Sequence, residues 1–161
     1  MITPAYCQLM ARYNAQQNNG IRRIVATMSD ADLRLDRGAF FGSIFGTLNH
    51  LLLGDLLWMA RFEDVEGPVV TASKGTDLTA TPALWAAERV LMDGRIKEWA
   101  RRIKEIDLTG DVTWASKINN RTFTESKALC VTHMFNHQTH HRGQVHAMLT
   151  AAGSKAPVSD V

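Results

Sequence analysis

Histidines are concentrated in one stretch near the carboxyl end of the chain. The segment VTHMFNHQTHHRGQVHAML, residues 131–149, contains five of the six histidines, at positions 133, 137, 140, 141 and 146. Imidazole is a frequent ligand of divalent transition metals. No proline interrupts the segment, which predicts a helix. Residues four apart lie on the same side of a helix, so His133, His137 and His141 form a single file that can chelate a metal.

Helix geometry limits which of these histidines can share an ion. Two imidazoles one turn apart can both reach a metal at about 2.0–2.1 Å, but His133 and His141 are separated by roughly 12 Å of helix rise. The helix therefore offers one pair, either His133 with His137 or His137 with His141. The sixth histidine, His50, lies in the apolar run GTLNHLLLGDLLWMARF. The metal hypothesis thus predicts a contact between two segments far apart in the chain.

The elements that must position these histidines are helices. Apolar residues recur at helical spacing in four long segments, and Pro4 and Pro82 suit first helical turns. A short helix is predicted in SDADL, from Ser29. The long helices are predicted at about 4–28, 43–62, 81–106 and from 125 or 126 to 153. The third has an apolar file of Leu84, Trp85, Leu91, Met92, Ile96, Trp99 and Ile103.

The connections between the helices have their own patterns. A loop across one end of a bundle is predicted for the segment LRLDRGAFFGS, with Arg37 and the Phe40–Phe41 pair as its anchors. The polar, glycine-containing segment between 63 and 80 is a second loop. DVTWASKINNRTFTE, from 111, has β-forming residues on both sides of a turn and predicts a small β-hairpin. Four long amphipathic helices and one hairpin indicate an all-α helical bundle.

The motifs FFGSIFGTLNHLLLGDLLWMARF and FNHQTHHRGQVHAML, with YNAQQNN near the amino end, resemble those of the DinB family of metalloenzymes. The likeness extends over nearly the whole chain, and the two histidine motifs are its specific part. It implies an up-down-down-up four-helix bundle with the hairpin before the last helix. It also implies a divalent metal, nickel or zinc, held by three histidines. Matched residue by residue, those ligands are His50, His137 and His141.

The resemblance also implies a class of function. Characterised relatives include enzymes that use a metal to activate a low-molecular-weight thiol, so the leading hypothesis is a metal-dependent thiol S-transferase acting on a small molecule. The alternatives are a metal-dependent hydrolase and a non-catalytic metal-binding stress-response or scaffold protein. Family members commonly dimerise, which predicts a homodimer. Judged from the ligand set alone, three imidazoles suit zinc, nickel, copper and iron alike.

Composition narrows the classes of protein further. The 161 residues, 45% hydrophobic and 21% charged, suit one domain, predicted at 1–153 with a loose tail at 154–161. The net charge of +2 is spread along the chain, so no nucleic-acid partner is expected. Cys7 and Cys130 lack CxxC spacing and are predicted to be reduced core residues of a cytoplasmic protein. No uncharged run is long enough for a membrane span.

Less specific interpretations remain for individual residues. A lone His50 on an apolar face is usually a hydrogen-bonded core residue, and His133 is the alternative to His141 within the file. Asp55 is predicted to lie at the solvent or the bundle edge rather than to be a fourth ligand.

Hydrogen-bond partners for the outer histidine nitrogens are expected among the nearest polar side chains, which are Asn49, Asn136 and Gln144. The sequence identifies no general base.

Overall fold

A computed structural model describes residues 2–69, 75–116 and 121–159 of the chain. Within these ranges it contains five α-helices, a short 3₁₀ helix at Glu105–Leu108 and a two-stranded sheet. The helices are α1 (Pro4–Val25), α2 (Asp30–Arg34), α3 (Ile44–Glu63), α4 (Pro82–Arg102) and α5 (Lys127–Ala151), and the strands are β1 (Asp111–Ser116) and β2 (Arg121–Ser126). The architecture predicted from sequence, four long helices with a hairpin before the last one, is confirmed.

A hydroxyl residue caps the start of each long helix. Thr3, Ser43, Thr81 and Ser126 each accept a hydrogen bond from a backbone N–H in the first turn of α1, α3, α4 and α5. Such caps satisfy one of the N–H groups that a helix terminus leaves unpaired. At the other end of α5, Gly153 adopts a positive φ of 72°, which glycine tolerates without steric cost. Local sequence therefore sets where α3 and α5, the two histidine-bearing helices, begin and where α5 ends.

Contacts along the helices define their relative directions. The Trp85 indole donates to the Leu48 carbonyl at 3.2 Å near the start of α3 and α4, and Arg95 pairs with Glu63 at 2.7 Å further along both. Between these two contacts the residue numbers increase in the same direction along both helices, so α3 and α4 run parallel. On α5 the order reverses, because His141 meets His50 whereas His133 meets Trp58. Helix α1 runs parallel to α5, through Tyr6 with Phe135 and Asn14 with Arg142. The topology is up-down-down-up.

The bundle interior combines an apolar core with a buried polar network. Trp85, Phe45, Phe135 and other side chains from all four long helices form one hydrophobic cluster. Asp55 accepts from Arg89 at 2.6 Å and from the Gln138 amide, and Arg89 also pairs with Asp93 at 2.9 Å. Further hydrogen bonds extend this network to Asn14, Asn18 and Arg142.

The prediction that Asp55 lies at the solvent or the bundle edge is wrong, since it is only 1% exposed. Its partner, Arg89, is 34 positions away on α4, so spacing along α3 alone gave no sign of the pairing. A carboxylate this deeply buried requires such a partner. Asp55 is therefore a structural residue of the interior.

Two helix ends and one helix face differ from the sequence prediction. Helix α1 stops at Val25 rather than near 28, because Ser29 caps the separate helix α2. Helix α4 stops at Arg102 rather than near 106, where Ile103 becomes extended and the 3₁₀ helix follows. Leu84 and Leu91, predicted in the apolar file of α4, are 45% and 67% exposed. The buried face includes Arg89 and Asp93 instead.

The hairpin and the final segment complete the molecule. Strands β1 and β2 pair antiparallel, with Trp114 opposite Phe123. Of the predicted turn at 117–121, residues 117–120 lie outside the described residues, and Arg121 is the first residue of β2. Ala156 packs against the core cluster, and Pro157 lies close to Gly20 of α1.

Cys7 and Cys130 are buried and free. None of the helices in the described ranges has the length and apolar character that crossing a bilayer requires.

Candidate metal centre

Three histidines from two helices converge on one side of the bundle. The ligand atoms of His50, His137 and His141 all lie within 4.8 Å of one another. The two Nε2 atoms of His50 and His137 are 3.2 Å apart. Metal–nitrogen bonds of about 2.0–2.1 Å at tetrahedral or octahedral angles place neighbouring ligand nitrogens about 2.8–3.4 Å apart. The spacing of this pair thus fits two ligands of one divalent ion.

Gln144 fixes the orientation of His141. The Nδ1 atom of His141 lies 2.7 Å from Oε1 of Gln144, one turn further along α5. An amide oxygen can only accept, so Nδ1 carries the proton and Nε2 keeps its lone pair. The amide nitrogen of Gln144 lies 3.3 Å from Nε2 of His140. This contact agrees with an amide oxygen that faces His141. A hydrogen bond to the outer nitrogen is the usual support of a metal-binding histidine.

The environment keeps the α5 histidines in their neutral, metal-binding form. Burial lowers the pKa of His137 from 6.5 to about 3, and the charges that His141 and His50 would carry contribute further. Burial also lowers the pKa of His141, although the hydrogen bond that it donates to Gln144 opposes the shift. Only a neutral imidazole has a lone pair for a metal. Both side chains are therefore ready to bind a metal at neutral pH without first losing a proton.

The surrounding residues allow the rings to approach one another. Gly54 of α3 faces His137, and a Cβ atom at this position would lie only 3.0 Å from Cε1 of the ring. The Phe41 ring, from the loop before α3, stacks on His50 with a centroid distance of 3.8 Å. Gly46 lets that loop come close, since a Cβ there would lie 2.6 Å from the Phe41 carbonyl oxygen. Of the predicted Phe40–Phe41 anchor, Phe41 packs against the site while Phe40 is 76% exposed.

The remaining histidines lie outside the cluster. His133, the alternative considered for the file, contacts the His137 ring at 5.5 Å and the Trp58 ring at 5.3 Å, but it is not part of the converging group. His140 is exposed and contacts His141 from the side. His146 lies further along α5. We refer to His50, His137 and His141 as the histidine cluster.

Of the three polar residues expected to support the histidines, Gln144 does so through the hydrogen bond described above. Asn49 instead accepts from the backbone and hydroxyl of Thr79 and donates to the Thr76 carbonyl, so it fixes the segment before α4. Asn136 donates to the Thr132 carbonyl on its own helix. No spacing rule distinguishes these roles, because the partners of Asn49 lie some thirty positions away.

The donor set resembles that of an open metal site. In the described part of the chain, no aspartate, glutamate or cysteine joins the histidine cluster. Structural zinc sites are normally closed by four protein ligands, whereas three histidines leave a position for another molecule. The residues present therefore fit a divalent ion that retains room for a substrate.

A four-helix bundle with an open histidine cluster between two of its helices defines a class of metal-binding helical proteins. Within that class, the chain belongs to the DinB family, whose model matches residues 1–161. No curated protein matches the sequence.

Among solved structures, the chain is similar to YfiT from Bacillus subtilis, which is described as a probable metal-dependent hydrolase with an unusual four-helix bundle topology. The sequences are 15% identical, the TM-score is 0.65, and the match covers 96% of this chain and 92% of that one. At this identity the likeness concerns the fold, and it confirms the bundle predicted above.

Sequence reasoning missed several residues at the site. Phe41 was expected to anchor a loop, but nothing in its position indicated stacking on His50. Trp58 packs against the core, and its ring also contacts His133 beside the histidine cluster. Sequence spacing could have placed Trp58 near the site, because His50, Gly54 and Trp58 recur every four residues and therefore lie on one face of α3.

Proposed function

We propose that the chain is a metal-dependent enzyme that binds one divalent ion, zinc or nickel, through His50, His137 and His141 and transfers a low-molecular-weight thiol to a small molecule. The observation that carries this proposal is the convergence of the three histidines without a fourth protein ligand in the described part of the chain. Family membership and the probable metal dependence of the structural neighbour support it. The reaction class is proposed from the resemblance to the DinB family, whose characterised relatives include thiol-activating enzymes.

The composition of the cluster is compatible with a thiol as the activated group. A bound divalent ion would acidify a thiol or a water molecule by several pKa units. A thiol begins near pKa 8.5, so it needs no further base at neutral pH. Water bound to such an ion would also reach a pKa of about 7 without a further base, so the preference for a thiol comes from the family resemblance. The histidine rings supply lone pairs, and Phe41 limits solvent access beside His50.

A metal-dependent hydrolase is the second candidate. It is favoured by the description of YfiT, whose fold this chain shares. His140 and His133 lie beside the cluster and are exposed, so either imidazole could accept a proton from water during hydrolysis. A non-catalytic metal-binding role is the remaining alternative, in which the ion stabilises the bundle without turnover.

The test begins with protein loaded with zinc or nickel and assayed for metal content. Thiol transfer predicts consumption of the electrophile monochlorobimane only when a thiol such as cysteine or glutathione is added. His141→Ala should lose bound metal and reduce the rate to background. His146→Ala, which removes a histidine outside the cluster on the same helix, should retain both.

Other outcomes assign the protein differently. Turnover of ester or amide probes without added thiol would indicate the hydrolase. Absence of both activities, with a lower melting temperature after metal removal, would indicate a binding protein. Failure to take up stoichiometric metal would contradict all three. Association into a homodimer and a cytoplasmic location also remain predictions, and the first is tested by light scattering in solution.

A further inference from the structure

A group of rings and one cation lies next to the histidine cluster, where α3 meets the hairpin. The guanidinium carbon of Arg61 lies 4.5 Å from the centroid of the Trp58 ring and 4.8 Å from that of Trp114. The two indole rings are 5.4 Å apart in an edge-to-face arrangement. Trp114 in turn stacks on Phe123 across the hairpin. We call Arg61, Trp58 and Trp114 the arginine–tryptophan cluster.

Arg61 has no counter-ion in the described part of the chain. No carboxylate of the described residues lies within 4.0 Å of its guanidinium, which packs on the two indole rings. Asp111 and Glu125, on the neighbouring strands, are exposed and do not pair with it. By contrast, Arg89 and Arg95 each bind a carboxylate. Arg61 is half-buried, and burial lowers the pKa of its guanidinium, so an uncompensated charge is held near the surface at a cost in free energy.

This arrangement suits the recognition of an anion. Contacts with the indole faces fix the position of the guanidinium, because cation–π attraction adds to packing. The N–H donors of Arg61 are then available to a carboxylate, which arginine binds through two parallel hydrogen bonds. A lysine would provide the charge without this paired geometry. The cluster therefore has the properties of a preformed carboxylate site.

The arginine–tryptophan cluster is connected to the metal-binding histidines by direct contacts. The Trp58 ring lies 5.3 Å from the His133 ring, which lies 5.5 Å from the ring of His137. Trp58 is one helical turn from Gly54, the residue against which His137 packs, and one turn is about 5.4 Å. The guanidinium is thus on the order of 10 Å from the histidine cluster, which is about the length of three extended residues.

We propose that Arg61, positioned by Trp58 and Trp114, binds a carboxylate at the distal end of the thiol substrate while the sulfur is directed to the histidine cluster. The inference rests on the proposed thiol transfer and deepens it by naming a substrate class. That class is a low-molecular-weight thiol that carries a carboxylate on the order of 10 Å from its sulfur. Short neutral thiols lack the second contact and should bind more weakly.

The experiment measures thiol binding rather than turnover. Cobalt-loaded protein is titrated with glutathione, glutathione diethyl ester and 2-mercaptoethanol, and the thiolate-to-cobalt absorption gives a dissociation constant for each. In the wild-type protein, glutathione should bind more tightly than either neutral-ended thiol. Arg61→Gln should weaken glutathione about ten- to a hundredfold, as expected when a charge-assisted hydrogen bond is lost. It should leave the diester nearly unchanged, and Arg61→Lys should fall between the two.

The control is Arg101→Gln, which removes the same charge from an exposed pair with Glu98 on α4. It should not change the preference for glutathione over the diester. Equal weakening of both ligands by Arg61→Gln would mean that Arg61 only fixes the hairpin, and the proposal would be overturned. An absorption band with 2-mercaptoethanol but none with glutathione would also overturn it. Absence of the band with every thiol, in metal-loaded protein, would instead contradict the proposed thiol transfer.

Discussion

At the scale of single residues, the site depends on how each imidazole is oriented and protonated. His141 and Gln144 are three positions apart on α5, close enough for the amide oxygen to hold the Nδ1 proton. The tautomer that results directs the Nε2 lone pair away from Gln144 and leaves it for a metal. In the proposed metal site, one side chain outside the ligand set would therefore contribute to the affinity for the ion.

Gln144→Leu should weaken metal binding about ten- to a hundredfold, because removing the partner of a ligating histidine usually has an effect of this size. Competition with a chromophoric chelator measures the change. Asn136→Leu is the matched control, since Asn136 donates only to the Thr132 carbonyl on its own helix. Equal affinities for Gln144→Leu and wild-type protein would show that the hydrogen bond does not support the site.

The lowered pKa of His137 predicts how the stability of the metal-free protein depends on pH. The folded state has a pKa of about 3 for this group, against an ordinary 6.5. Between these pH values the unfolded chain binds more protons, so stability falls as the pH decreases through that window.

Between pH 7 and pH 5 the contribution of His137 should be on the order of 1 kcal/mol after allowance for solvent screening. Urea unfolding of the metal-free protein at the two pH values measures it. His137→Gln should show a smaller decrease than the wild-type protein. The same decrease in both proteins would mean that His137 titrates normally.

At the scale of secondary structure, the site requires α3 and α5 to approach closely. Gly54 and His137 form that contact, and a side chain at position 54 would meet the imidazole at 3.0 Å. Sequence alone placed both histidine-bearing helices and, through family resemblance, named the three converging histidines. It could not give the distance between the rings, which depends on the antiparallel packing of segments more than eighty positions apart.

Gly54→Ala tests this close approach. Alanine favours a helix over glycine by about 0.5–1 kcal/mol, but here the new methyl group should displace the His137 ring and weaken metal binding at least severalfold. Isothermal titration of the metal measures the effect. Gly94→Ala, on α4, is the control because a Cβ there meets nothing within 4 Å, so it should raise stability and leave affinity unchanged. Wild-type affinity in Gly54→Ala would contradict the predicted crowding.

Other errors in the sequence prediction have related physical causes. Leu84 and Leu91 fit an apolar file on α4, but the helix turns a face with Arg89 and Asp93 toward the interior. Those charges are buried because Asp55 on α3 pairs with Arg89 and Asn18 on α1 donates a hydrogen bond to Asp93. Hydrophobic periodicity does not detect a buried polar network, because its partners are specified only by tertiary packing. Arg61 was missed for the same reason, since its two tryptophans come from different elements.

At the scale of the whole molecule, the polar network joins all four long helices beside the histidine cluster. Gln138, which directly follows His137, donates to Asp55, and Arg142, which follows His141, reaches Asn14 on α1. Burial raises the pKa of Asp93 despite the nearby charge of Arg89. The network therefore couples the position of the histidine-bearing helices to the assembly of the bundle.

Asp55→Ala should destabilise the protein by about 3–5 kcal/mol, because it leaves the buried Arg89 guanidinium without its closest carboxylate. Denaturant unfolding measures the loss. Asp30→Ala removes a carboxylate from an exposed pair with Arg34 and should change stability by less than about 1 kcal/mol. Similar effects of the two substitutions would show that the buried pair is not a stabilising part of the fold.

The most direct test of the account is a crystal structure of the zinc- or nickel-loaded protein, with anomalous scattering recorded at the absorption edge of the metal. We expect one anomalous peak about 2.0–2.1 Å from nitrogen atoms of His50, His137 and His141, with at least one further position not occupied by a protein atom. A peak bound through other residues, a site closed by a fourth side chain, or no peak in fully loaded crystals would contradict the proposed metal centre.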